Sequence, residues 1–156
     1  MDQFNIIRRE FNKLGSRWVT TGSMAASMHA SQMGVTIRKP KNFDFMIAKK
    51  NRDKFADVLV KLVYDFITVK SSRNNLRFEK TNNFPVNLLL TESQSALNHV
   101  SYNSTPIQSL TTLLNQKHAQ NKNSANIANL RKILNKKDSL HTMVHNLMKG
   151  INMSIN

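Results

Sequence analysis

At 156 residues, with 23 Lys and Arg against nine Asp and Glu, the chain carries a formal charge of +14 and contains no cysteine. The length suits one domain around one hydrophobic core, and the missing thiols exclude disulfides, thiolate metal sites and cysteine nucleophiles. No apolar run approaches twenty residues and no signal-peptide block opens the chain, so the expectation is a protein that is neither membrane-spanning nor secreted, working in the cytoplasm, in the nucleoid or nucleus, or in a virion.

Phe4, Ile7, Phe11 and Leu14 recur at helical intervals, with Asp2 ahead of them and Gly15 behind, which predicts an amphipathic helix over residues 2 to 14. Arg17 to Thr21 reads as a short buried strand, and Ser23 to Met33, rich in Ala and Met, as the next helix. Phe43, Phe45 and Ile47 alternate with Asn42, Asp44 and Met46, so a strand here sends its aromatics to one face and Asn42 with Asp44 to the other. Phe55, Leu59, Leu62 and Phe66 mark a helix over roughly residues 51 to 65. Three strands follow, at Ile67 to Lys70, Leu76 to Lys80 and Phe84 to Leu90, separated by turn residues. After Pro106 the reading is helical to the end. Its apolar stripes are Ile107, Leu110 and Leu114; Ile127, Leu130 and Leu134; and Leu140, Met143, Val144 and Leu147, with Asn121 to Ser124 separating the first two. The expected fold class is α/β (α+β), a small mixed sheet flanked by helices within a single domain of residues 1–156. Its core would span 1–100 and a C-terminal helical part 106–150, the last stripe covering the core or forming a homo-oligomer contact.

Gly22-Ser23 after an apolar strand, Asn42-x-Asp44 twenty residues later, and Asn87 inside Pro85-Val86-Asn87-Leu88-Leu89-Leu90 follow one another in a particular order. That order resembles the active-site signature of the nucleotidyltransferase superfamily, in which a Gly-Ser or Gly-Gly pair ends the first strand and opens a helix. The next strand there presents two carboxylates two residues apart, and a later strand supplies a third. The segments Ile107-Gln108-Ser109-Leu110 and Leu113 to Ala119 look like the helix that follows the core in small bacterial members of toxin and antitoxin type. The resemblance implies a nucleotidyltransferase-like fold with Asp44 at one acidic position and Asn42 and Asn87 at the other two. Nucleotidyl transfer uses divalent cations held by carboxylates. Asn keeps the shape of Asp but is neutral, so the expectation is a degenerate site with no metal and no cofactor, Asp44 being vestigial. Mg2+ and a nucleoside triphosphate enter only under the alternative of an active enzyme with an atypical metal site, completed by Glu79 or Glu92, that modifies protein or RNA.

Gly22 and Ser23 have a use independent of metal, since the N-H groups opening a helix can receive a phosphate. The plainer alternative is an ordinary strand-to-helix turn with Ser23 as cap. The His141 and His145 pair has the i, i+4 spacing of a zinc site, but Thr142 stands where such motifs carry Glu, so no metal is assigned there. The charge excess in so small a domain favours a polyanionic partner, DNA or RNA, over a merely solvating surface. Arg38, Lys39, Lys41, Lys49 and Lys50 are the first expected phosphate contacts, and Arg131, Lys132, Lys136 and Lys137 the second. The function expected is therefore binding of nucleic acid through a basic surface, in compaction or packaging. A third reading is an interaction protein serving an acidic partner or a virion.

Overall fold

The computed structural model describes residues 2–119 and 124–155, with side chains placed at 3–116 and 127–148. Helix α1 (Asp2–Asn12) turns Phe4, Ile7 and Phe11 inward, each removed from solvent and each contributing roughly 1.5–3 kcal/mol of transfer free energy. It leads into strand β1 (Trp18–Thr21), helix α2 (Gly22–Met33) and strand β2 (Phe43–Ala48). Helix α2 ends on Gly34, whose φ of 64° lets its N-H turn back to the carbonyls of Ala30 and Ser31. Helix α3 (Arg52–Lys61) precedes strands β3 (Asp65–Phe66), β4 (Asn75–Glu79) and β5 (Val86–Thr91). Strands β6 (His99–Tyr102) and β7 (Thr105–Gln108) lead to helices α4 (Leu110–Ala119) and α5 (Ser124–Ile155).

The seven strands form one mixed sheet in the order β3-β4-β5-β2-β1-β7-β6. Strands β1 and β2 run antiparallel, while β5 and β7 join β2 and β1 in parallel. The period-two alternation then decides burial. Phe43, Phe45 and Ile47 of β2, Val86, Leu88 and Leu90 of β5 and Phe78 of β4 face the main core with α1, α2 and α3. Phe11 sits edge-on to Trp18, Phe45 and Phe55 at centroid separations of 5.6, 5.0 and 4.9 Å, the arrangement the aromatic quadrupole favours. The opposite face is thinly covered: Val19, Met46 and Ala48 pack on Leu97 from a single 3-10 turn, Gln94–Leu97. Residues at the other end of β2 on that face, Asp44 among them, keep partial exposure.

Three expectations need correction. The strand expected at Ile67 to Lys70 is a 3-10 turn at Thr68–Lys70, and the true strand β3 lies just before it, pairing Asp65 with Glu79 and Phe66 with Phe78. The ladder stops there because the Ser71 hydroxyl donates to the carbonyl of Ile67 at 2.8 Å and accepts the N-H of Arg77 at 2.9 Å, a local alternative to strand pairing. Helix α3 ends at Lys61, short of residue 65, because the chain turns at Val63 with φ 68°. The region around Ile107 is not helical but forms β7, which completes a hairpin with β6, so the sheet runs to Gln108, past residue 100. Asn103 and Ser104 take φ 47° and 63° at its tip, the positive pair of a tight hairpin turn. The stripe from Leu140 to Leu147 continues α5, which is 32 residues long and about 48 Å from end to end. Of the break expected at Asn121 to Ser124, residues 121–123 lie outside the described residues, and Ser124 opens α5.

Candidate functional site: a cationic cleft at the end of β1 and β2

The register builds the site. Thr21, the last residue of β1, lies opposite Asp44, and Asp44 lies beside Asn87 of the parallel strand β5. Asn87 in turn pairs with Arg77 of β4. Thr21, Asp44, Asn87 and Arg77 thus form a row across four strands on the thinly covered face. Asn42, just before β2, joins them through Arg77, whose Nη1 donates to the Oδ1 of both Asn42 and Asn87 at 3.4 Å. The amide of Asn87 works in both directions: its oxygen faces Arg77, while its Nδ2 donates to Asp44 Oδ1 at 2.8 Å.

Gly22 closes the other side. It opens α2 with φ 62°, and a Cβ there would overlap Asp44 Oδ2 and stand 3.1 Å from its Cγ. Only a residue without a side chain lets the backbone approach the Asp44 carboxylate so closely. The N-cap of α2 is Thr21, not Ser23, and Thr21 makes no side-chain cap; its hydroxyl donates instead to Gln108 Oε1. Ser23 lies in the first turn of the helix, exposed.

Gln108 ties these pieces together. Fully buried, it also donates from Nε2 to the carbonyl of Ala96 at 2.7 Å, while its own carbonyl accepts from His29 Nε2 at 2.7 Å. The carbonyl can only accept, so the His29 proton sits on Nε2. Burial pushes the pKa of His29 below its ordinary value, the Gln108 carbonyl opposes that shift, and the positive charge of Lys137 adds to it.

Beside the row opens a cavity of about 230 Å³ lined by Gly22, Ser23, Arg38, Lys39, Lys41 and Asn42, with Ile37, Leu113 and Leu130 forming an apolar side. Arg38, Lys39 and Lys41 therefore share this cavity with Gly22 and Ser23. Lys132 of α5 reaches the same segment, its Nζ donating to the carbonyl of Thr36 at 3.5 Å, and Lys136 follows one turn later on the same side of the helix. Arg131, Lys136 and Lys137 are exposed. Lys49 and Lys50, in contrast, follow the far end of β2, about 13 Å along the strand from Asp44. Lys49 pairs there with Glu92 at 3.8 Å, so this pair does not adjoin the cleft. Arg77 and Gln108 escaped the sequence reading. Arg77 shares strand parity with Glu79 and could have been suspected from the Leu76, Phe78 alternation, whereas no local signal marks Gln108.

A divalent cation held by three carboxylates, as the superfamily signature carries it, does not fit this residue set. Two of the three positions are neutral amides, and both direct their oxygens at a guanidinium. Glu79 is engaged by Lys70 at 3.0 Å and by Arg77 at 3.8 Å, and Glu92 is at the Lys49 end of the sheet. Among the described residues no group of three His, Asp or Glu is placed to hold a metal, His141 and His145 included.

No protein-family model matches the sequence, and no curated protein does. Solved structures do. The chain is similar to ANT(2'')-Ia in complex with adenylyl-2''-tobramycin, with a TM-score of 0.62 at 8% identity over 92% of this chain and 97% of that one. It is similar to the lincosamide antibiotic adenylyltransferase LnuA in its lincomycin-bound form, with a TM-score of 0.61 at 11% identity over 79% and 90%. A third likeness is to a Thermotoga maritima protein assigned as a nucleotidyltransferase, with a TM-score of 0.51 at 13% identity over 93% and 94%. By these likenesses in overall structure the chain has a nucleotidyltransferase-like fold.

Proposed function

We propose that this chain binds nucleic acid through phosphates in the cationic cleft and does not transfer nucleotides, its cellular role being compaction or packaging. The observation that carries the reading is Arg77 held between Asn42 and Asn87, at positions that in a working transferase would carry negative charge for metal. What remains suits an anion. The uncapped start of α2, Ser23, Arg38, Lys39 and Lys41 line one cavity, and Lys132 extends the positive surface onto α5. Helix N-termini and clustered cations each attract phosphate, and together they do so without reading bases. The net charge of +14 supplies long-range attraction to a polyanion.

The test is binding of labelled duplex DNA, single-stranded DNA and RNA across a salt series with heparin as competitor. The reading expects affinity that falls steeply with salt and resists heparin better than charge alone allows. Lys39→Glu/Lys41→Glu should then flatten the slope by about 0.9 for each phosphate that is no longer neutralised. No binding to any of the three at about 50 mM salt, where phosphate-driven association is strong, sinks the proposal, and adenylylation of a protein or RNA by the purified chain would replace it with the enzymatic alternative.

A further inference from the structure

Arg77 invites a sharper statement than the loss of metal ligands. Its side chain starts on β4, passes over Asn87 of β5 and ends at Asn42 ahead of β2, so the guanidinium stands above the positions where the fold's resemblance calls for acids. It is not a loose surface group, since its side chain is 22% exposed and its Nε, buried, makes no hydrogen bond. The neighbours are arranged for a cation: two amide oxygens point toward it, and Glu79 Oε2 lies 3.8 Å from Nε. Asn87 acts as an adapter, offering N-H to the Asp44 carboxylate and oxygen to Arg77. An Asp at position 87 would set two carboxylates side by side, the arrangement that calls for a metal between them. With Asn there, one positive and one negative side chain are joined through a neutral amide.

Accepting the phosphate-binding reading above, we infer that Arg77 is the built-in cation of this site, a covalently attached substitute for a divalent ion that receives a phosphate oxygen without metal. A guanidinium carries five N-H donors, and the two long bonds from Nη1 occupy only part of that fork. The remaining donors can meet an anionic oxygen, and Arg is the side chain best suited to such a fork. Asn42 belongs both to this arrangement and to the cavity lined by Arg38, Lys39 and Lys41, so the cavity adjoins the Arg77 guanidinium at Asn42. A divalent ion would meet like charge at that point and is excluded.

Two readouts test this on the full chain. The first is Mn2+ binding by electron paramagnetic resonance in the wild type, in Asn42→Asp/Asn87→Asp, and in Asn42→Asp/Arg77→Leu/Asn87→Asp. The wild type and the double variant should bind Mn2+ at least tenfold more weakly than the triple variant, which should take up one ion, because in the double variant Arg77 pairs with the new carboxylates. Asn42→Asp/Arg77→Lys/Asn87→Asp keeps the charge and should again exclude the ion, which ties uptake to removal of the cation, and circular dichroism checks that each variant is folded. Stoichiometric Mn2+ in the double variant, or none in a folded triple variant, overturns the inference. The second readout is oligonucleotide affinity with Mg2+ or with EDTA at matched ionic strength. It should be unchanged in the wild type and weakened several-fold by Arg77→Gln, whereas a requirement for Mg2+ overturns the inference. If no variant binds oligonucleotide, the nucleic-acid reading fails, and the Mn2+ comparison still decides the role of Arg77.

Discussion

Gly22→Ala tests the geometry of the site through stability. The substitution imposes two costs. A Cβ at φ 62° is strained, worth about 1–2 kcal/mol for a residue forced into the left-handed region. The new atom also overlaps Asp44 Oδ2, so the carboxylate must move and give up the N-H of Asn87 now held at 2.8 Å. A hydrogen bond to a charged group contributes about 1.5–3 kcal/mol, and the sum is about 2.5–5 kcal/mol against a typical total stability of about 5–15 kcal/mol. For a chain of this size that lowers the melting temperature by roughly 5–20 °C. Gly34→Ala is the matched control, because its φ of 64° is equivalent but nothing lies within 4 Å of its Cβ position. It should cost only the strain, about 2–8 °C. The assay is thermal denaturation by circular dichroism, and Asp44→Ala completes a double-mutant cycle in which Gly22→Ala should cost less when the carboxylate is absent. A drop for Gly22→Ala no larger than for Gly34→Ala would refute the close approach of α2 to Asp44.

Other expectations follow from placement. Burial lowers the pKa of His29 from 6.5, so the folded state holds fewer protons than the unfolded chain below that pH, and stability should be complete above about pH 6.5 and decline as the pH falls through the folded-state value. His29→Gln should flatten this part of the profile of melting temperature against pH; a profile unchanged by the substitution would mean that another group carries it. Lys49→Glu/Lys50→Glu should reduce oligonucleotide affinity less than Lys39→Glu/Lys41→Glu, since the former pair lies at the far end of β2; equal losses in the same titration would point to a diffuse basic surface. On α5, Ile133→Ala should cost about 2–5 kcal/mol because Ile133 is fully buried. Met143→Glu/Leu147→Glu should leave the melting temperature nearly unchanged, both side chains being more than half exposed, and should abolish any concentration-dependent rise in mass in sedimentation experiments.

Much of this protein is local and therefore readable from the chain. The spacing of Phe4, Ile7 and Phe11 determines a one-sided helix, because about 3.6 residues per turn bring them together whatever follows. The alternation of Phe43, Phe45 and Ile47 with Asp44 likewise determines that the aromatics enter the core while the carboxylate faces away, and Gly22-Ser23 marks the turn between strand and helix. The tertiary structure decided what those side chains meet. Arg77 reaches Asn42 and Asn87 only because β4, β5 and β2 are neighbours in one register, and that pairing joins segments 10 and 35 residues apart. Gln108 enters the site for the same reason, brought to Thr21 by the parallel pairing of β7 with β1, where the sequence suggested the start of a helix. The division of the basic residues was also decided there: strand direction puts Lys41 at the cleft and Lys49 away from it, although only eight residues separate them along the chain. Periodicity records which face of an element is apolar, since that is a property of neighbouring residues. Charge placement at a site depends on which strands lie side by side, and that is settled by the packing of the whole sheet.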